Sequence, residues 1–412
     1  MTNRRPNFIV ILCDNMGYGD IRYLGSQKHN TPHVDGMAEE GVILTSFYVS
    51  SGVCTPSRAS LMTGCYAQRI DMHISDTGGS VLRPISSKGL NPEEITIANL
   101  LGKQGYATAC IGKWHLGDQP EFLPTRHGFD YYYGIPYSED MVPEVNPKWP
   151  PLPLMQDEEV IEAPVDLHTI TKRYTHESIQ FLTRNRDNPF FLYLAHANPG
   201  SVRIPLVSDE FHGRSANGEY GDSIEEIDWS TGQILSAVKQ LGIDHQTIVI
   251  FTSDNGAVKG HSGSNAPFAG WGYSTMEGGM RMPCIVRWPS IIPAGKTCDE
   301  LCSTMDLLPT FAKLAGTIPP EDRIIDGKDI WPLLTCKEDA KSPHEAFYYY
   351  QVDQLQAVRS DKWKLNLPLD AKYTHGRRNT GSSPLMLFDL SEDLAESIDV
   401  SDQHPEVVKN LC

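Results

Sequence analysis

No stretch of the 412 residues is apolar for long enough to cross a bilayer as a helix. The residues up to Pro6 are basic and residues 8–13 are apolar. That run is shorter than a signal-peptide core with its cleavage site and reads as a first strand. The chain is therefore expected to be cytoplasmic, or periplasmic or secreted if a leader preceded it. Positive charge is also scarce: 35 Lys and Arg face 52 Asp and Glu, a formal net charge of −17. This argues against a nucleic-acid binder, which needs a basic face. An anionic substrate held in a local basic pocket stays compatible. The nine cysteines are widely scattered and never form CxxC, so neither a disulfide framework nor a cysteine metal site follows. Internal repeats and low-complexity tracts are absent too.

What is present is a series of short, β-rich apolar runs separated by amphipathic stretches. Residues 7–13 (NFIVILC), 107–111 (ATACI), 190–195 (FFLYLA), 246–252 (QTIVIFT) and 284–288 (CIVRW) read as buried strands. Helical patterns cover 95–104, 175–185, 223–241 and 305–315. Continuous apolar strands alternating with such helices predict an α/β fold, a mostly parallel sheet covered on both faces. Residues 120–165, rich in proline and tyrosine, and the glycine-rich 256–282 read as long loops near a site. From about residue 340 the runs 346–351, 356–365 and 385–390 suggest a small antiparallel sheet, with a last helix from about Pro405. The division expected is a catalytic domain at 1–338 and a small C-terminal subdomain at 339–412.

In open α/β sheets, ligands bind beyond the carboxyl ends of the strands. Four runs deliver polar residues to that edge: Asp14-Asn15, Lys113-Trp114-His115, His196 and Asp254-Asn255. Two carboxylates and two amide oxygens suit a hard cation, Ca²⁺ or Mg²⁺. Lys113 and His115 alternate past a strand and can share one side. The lysine would bind an anionic oxygen and the histidine would move a proton. His196 and His261 are further candidates to touch substrate, with a hydrogen-bonded structural histidine as the alternative. Arg126, His127 and Asp130 serve equally well to fix a loop. The segment Cys54-Thr55-Pro56-Ser57-Arg58 predicts a thiol at the positive end of a short helix, with Thr55 as cap, Pro56 at the first position and Gly64 as terminator. Arg58 lies one turn along. That arrangement suits a nucleophile working on an oxyanion.

Together these motifs resemble the type I, formylglycine-dependent sulfatases of the alkaline-phosphatase-like superfamily, leaning towards arylsulfatase A-like and N-acetylgalactosamine-6-sulfatase-like members. The resemblance covers nearly the whole chain: DNMGYGD, CTPSRASLMTG, GYATACIGKWHLG, HGFDYYYGIPYSED, TSDNG, EGGMRMPCIVRWPS and LFDLSEDLAESIDV. It implies an alkaline-phosphatase-like α/β/α sandwich with a small C-terminal antiparallel sheet. It implies a sulfuric ester hydrolase acting on a sulfated carbohydrate or aryl ester. A separate maturation enzyme would oxidise Cys54 to formylglycine, whose hydrate attacks sulfur. Arg58 would hold the hydrate, His115 would contact its hydroxyl, and Lys113 and Ser138 would bind the sulfate. Asp14, Asn15, Asp254 and Asn255 would hold Ca²⁺ (or Mg²⁺), which also contacts the group at Cys54.

Three positions depart from the family pattern. Asn15 replaces a usual aspartate. The leaving-group histidine is missing in HANPGSVRIPL, where the matching place is Gly200 or Arg203. A usual lysine is replaced by Gly272. His196, Arg203 and His261 are the sequence-level candidates to compensate. The alternatives are a phosphonate monoester or phosphodiester hydrolase of the same superfamily, or a catalytically impaired protein that binds sulfated glycans.

Overall fold

The computed structural model describes residues 5–202, 206–369 and 383–412. Its centre is a ten-stranded sheet. From edge to edge the strands are Lys296–Cys298, Val42–Leu44, Cys284–Arg287, Thr247–Ser253, Asn7–Asp14, Phe190–Pro199, Ala107–Gly112, Tyr131–Gly134, Leu154–Gln156 and Glu159–Glu162. The five from Thr247–Ser253 to Tyr131–Gly134 run parallel to one another. Every residue of the three central strands is buried. Alternation then sends successive side chains to opposite cores. Phe8, Val10 and Leu12 join one core with Phe191, Ile248 and the helices Cys54–Thr63, Ile97–Lys103 and Leu307–Leu314. Ile9, Ile11 and Cys13 join the other with Leu192, Val249 and the helices Pro32–Glu39, Ile170–Asn185 and Gly218–Gln240. The result is the sandwich expected from the sequence.

Two elements differ from that expectation. The Cys284–Arg287 strand is antiparallel to Thr247–Ser253: the connection between them holds only the four-residue helix Glu277–Met280 and a two-residue strand, with no long crossover helix to carry the chain back to the other end of the sheet. The 120–165 stretch is not purely loop: it contributes the last three strands of the sheet. These are three or four residues long, too short for their alternation to stand out, and Glu159–Glu162 is largely exposed.

The C-terminal sheet is antiparallel throughout, in the order Phe347–Gln351, Gln354–Ser360, Trp363–Asn366 and Met386–Asp389. The helix Pro405–Leu411 lays Val407, Val408 and Leu411 against Val358, Leu365 and Leu387. The other side of this sheet meets Tyr48, Val49, Met280 and Met282 through Phe347, Tyr349 and Ala357.

A buried ionic knot crosses that seam. Lys364 Nζ lies 3.0 Å from Glu277 Oε1 and 2.9 Å from Glu396 Oε1, and donates to the Thr275 carbonyl at 2.9 Å. Burial would raise the Glu277 carboxyl, but Lys364, Arg281 and Arg359 bring it down to about 2. Removing one partner of such a knot strands the rest without compensation. Lys364→Met is therefore expected to destabilise the fold by about 3–5 kcal/mol, read as a shifted urea midpoint.

His127 provides a second test of the fold. It is fully buried against Trp114, with neither ring nitrogen hydrogen-bonded among the described residues. Burial pushes it down to about 4, from an ordinary 6.5. Between those values the unfolded chain binds a proton that the folded chain does not, so stability rises with pH across the window. The contribution is complete above 6.5 and is lost as pH falls towards 4. His127→Phe should reduce the slope of unfolding free energy against pH near pH 5 by up to about 1.4 kcal/mol per unit. Denaturant titrations at several pH values measure it.

Candidate active site

The helix Cys54–Thr63 begins with Cys54 itself, and Gly64 ends it at φ +70. The expected cap is displaced: Val53 holds the N-cap position. Thr55 turns its hydroxyl to the His115 carbonyl at 3.0 Å and accepts the Leu82 backbone N–H at 3.2 Å. It ties the helix start to the Lys113–His115 segment instead of capping. Ser57 Oγ donates to the Asp254 carbonyl at 2.5 Å, fixing the helix to the next strand end.

Strand ends that the sequence places apart converge here. Cys54 Sγ lies 3.3 Å from Asp14 Oδ1, 4.0 Å from Asn15 Oδ1 and 3.8 Å from Lys113 Nζ. Arg58 spans both carboxylates, with Nε and Nη2 each 2.9 Å from Asp254 Oδ2 and Nη2 3.2 Å from Asp14 Oδ1. Its Nη1 donates to the Lys113 carbonyl at 2.7 Å. Lys113 Nζ bonds Asp14 Oδ2 at 2.7 Å and Ser138 Oγ at 2.9 Å. All these side chains are buried.

The electrostatics correct one expectation. A helix start favours a thiolate, yet burial, then Asp14 and Asp254, push the Cys54 thiol well above its usual value, against Lys113 and Arg58. The unmodified thiol is protonated and a weak nucleophile. Burial would also raise Asp14, but Lys113 and Arg58 hold it well below the carboxylate range. Burial and the neighbouring Asp14 push Asp254 up to about 7. Two carboxylates in one dry site call for positive charge.

The donor set fits a hard cation. One ligand atom each from Asp14, Cys54 and Asp254 lie within 4.8 Å of one another. Asn15, at φ 60, donates its backbone N–H to Asp254 Oδ1 at 3.0 Å, and its side-chain oxygen accepts from Asn255 Nδ2. Asn255 Oδ1 is buried with no hydrogen-bond partner among the described residues, as an acceptor awaiting a cation would be.

Cys54, His115 and Ser138 lie on the wall of a cleft of about 420 Å³, with Gly79, Arg83, Asp140, Ser201, Tyr273 and Gln351. His115 Nε2 lies 3.0 Å from the Leu82 carbonyl, so that nitrogen carries the proton. Nδ1 is then a bare acceptor, and nothing among the described residues bonds it. Burial, then Lys113 and Arg58, hold this ring neutral.

Among the described residues, neither His196 nor His261 lies on this wall. The Phe190–Pro199 strand runs past the expected end, so His196 sits fully buried inside it, with both ring nitrogens unbonded among the described residues. Burial lowers it to about 4. His261 is half-buried in the turn after Val258, away from the cleft lining. Arg203 lies outside the described residues. Gly200 and Gly272 have no room for a side chain: a Cβ would stand 2.3 Å from Glu139 Oε1 in the first case and 2.3 Å from the Gly256 carbonyl in the second.

Sequence reasoning missed Glu139, Ser201 and Tyr273. Ser201 Oγ lies 3.1 Å from Asn15 Nδ2 and 3.3 Å from the Tyr273 hydroxyl. Only the adjacency of Glu139 to Ser138 could have signalled the first of the three.

Residues 6–317 match the Sulfatase family model, and residues 273–411 match the N-sulphoglucosamine sulphohydrolase C-terminal model. The chain is 38% identical to N-acetylgalactosamine-6-sulfatase of Mus musculus over 380 residues, 88% of this chain and 72% of the relative. It is 36% identical to steryl-sulfatase of Homo sapiens over 490 residues, 95% of this chain and 83% of the relative. A solved protein of Bacteroides thetaiotaomicron, described under metabolism of multiple glycosaminoglycans, superposes with a TM-score of 0.87 at 27% identity, covering 99% of this chain and 98% of its own. With this site at the edge of an alkaline-phosphatase-like sheet, the chain belongs to the sulfatase family.

Proposed function

We propose that this protein hydrolyses the sulfate ester of a sulfated carbohydrate, working through formylglycine at Cys54 with Ca²⁺ held by Asp14, Asn15, Asp254 and Asn255. The observation that carries this reading is Cys54 on the cleft wall, within reach of Asp14 and Lys113 and one turn from Arg58. A formylglycine hydrate would supply the oxygen nucleophile, and the cation would offset the charge of the bound sulfate. Lys113, kept protonated by Asp14 against the opposing effect of burial, holds a sulfate oxygen and donates to Ser138, whose own hydroxyl proton is left to face the ester. Arg58 fixes the two carboxylates and so orients the group at 54. His115 Nδ1, a bare acceptor, would be the group to accept a proton there. A wall that mixes Arg83, Asp140 and Gln351 with Val81, Met141 and Val352 suits a sugar, which presents hydroxyls on an apolar ring. So does the similarity to a relative named N-acetylgalactosamine-6-sulfatase and to a solved protein described under metabolism of multiple glycosaminoglycans.

Matured protein should release sulfate from a hexose sulfate and act far more slowly on the matching phosphate diester. Turnover should fall on chelation and return with Ca²⁺, with the melting temperature moving in step as the cation leaves and rebinds. Preference for the phosphate diester would contradict the assignment, and a melting temperature indifferent to chelator and Ca²⁺ would contradict the cation site.

A further inference from the structure

Glu139 is a buried acid that the mechanism above leaves unused. It sits between Ser138 and Asp140, which both line the cleft, and is itself 3% exposed. Its Oε2 lies 3.0 Å from Ser138 Oγ, accepting that hydroxyl's proton when ionised and donating to the hydroxyl when protonated, and 3.5 Å from Lys113 Nζ. Its Oε1 accepts the backbone N–H of Ser201, another cleft residue. Gly200 accounts for the fit: it holds φ +81, and a Cβ there would stand 2.3 Å from Oε1. The carboxyl group thus fills the space in which a side chain at position 200 would begin. Lys113 is closer to Asp14, at 2.7 Å, so Glu139 does not command its charge. The charged groups acting on it are Lys113, Asp14 and Asp140. Burial prevails over Lys113 and brings the carboxyl to about 7, which leaves a proton available near neutral pH.

We propose that Glu139 supplies the proton taken up by the departing alcohol oxygen, passed on through the Ser138 hydroxyl. This rests on the sulfatase reading above. As the bond between sulfur and the alcohol oxygen breaks, its electron pair passes to that oxygen. The oxygen takes the Ser138 hydroxyl proton, and Ser138 takes the proton of Glu139. Glu139 is left as a carboxylate beside Lys113 and regains a proton from solvent before the next turnover. The other described candidates are not placed to do this, since His196 lies inside its strand, His261 stands off the cleft lining, and Gly200 and Gly272 have no room for side chains. An unactivated sugar alcohol needs this proton to leave, and a nitrophenolate needs it far less.

The test compares wild type, Glu139→Gln and Glu139→Asp on a hexose 6-sulfate and on 4-nitrophenyl sulfate across pH. Glu139→Gln is expected to lose about 100-fold more rate on the hexose ester than on the aryl ester. It should also abolish the decline of the hexose-ester rate that wild type shows above about pH 7. Glu139→Asp should recover part of both. Equal losses on the two esters, or no loss on the hexose ester, would overturn the proposal. So would a wild type that cleaves only the aryl ester. A wild type that releases no sulfate from either ester would instead overturn the sulfatase reading, and this proposal with it.

Discussion

Cys54→Ala is expected to abolish sulfate release, lowering turnover by about four orders of magnitude or more while the protein stays folded. The side chain is small and stands at the first residue of its helix, so its loss leaves little cavity. Its neighbours Asp14, Lys113 and Arg58 keep one another paired without it. The stability cost should be about 1 kcal/mol, near the centre for single substitutions. Burial and the two carboxylates keep the thiol protonated, so protein that retains an unconverted Cys54 should be as inactive as the alanine variant. Parallel assays of sulfate release and thermal melting on the matured, unmatured and alanine forms measure this. Substantial turnover by the alanine form would mean that the chemistry does not pass through position 54.

Arg58→Met is expected to damage both stability and activity. Arg58 is 1% exposed and ion-paired to Asp14 and Asp254, with a further bond to the Lys113 carbonyl. Without it, two buried carboxylates share one ammonium group. Breaking a buried pair in this way costs about 3–5 kcal/mol. Turnover should fall by at least about 100-fold, because the group at 54 loses its orientation. Added Ca²⁺ should return part of the stability, about 2.7 kcal/mol when present at about 100 times its Kd. Arg58→Lys should recover little activity, since an ammonium group cannot make the fork that reaches both carboxylates and a carbonyl. Urea unfolding with and without Ca²⁺, beside kcat for each variant, separates the two effects. An unfolding curve for Arg58→Met that matches wild type would contradict the charge balance described above.

Much of this was legible in the sequence because the chemistry is delivered by regular elements. Asp14, Lys113 and Asp254 each follow a buried run, and parallel strands bring their carboxyl ends together. Arg58 follows Cys54 by one helical turn, so their proximity is local geometry. The unbroken apolar run from Phe8 to Cys13 announced a sheet covered on both sides, and its residues do alternate between the two cores. What was hidden depends on contacts between segments distant in the chain. Glu139 meets Gly200 only through folding, and neither residue signals the other. The protonation of Cys54 depends on burial, then Asp14 and Asp254, outweighing a helix start, a balance that spacing cannot weigh. His196 looked like a strand-end ligand because the apolar run ends at Ala195, whereas the strand continues to Pro199. The knot at Lys364 gathers Glu277 and Glu396 from distant segments.

The central claim is that Cys54 becomes the working group of a sulfatase. Its most direct test is the mass of the peptide carrying Cys54, taken from protein that releases sulfate from a hexose sulfate. An aldehyde is predicted in place of the thiol, in a fraction that rises in proportion to turnover. Full turnover from protein whose Cys54 is entirely an unmodified thiol would contradict that claim.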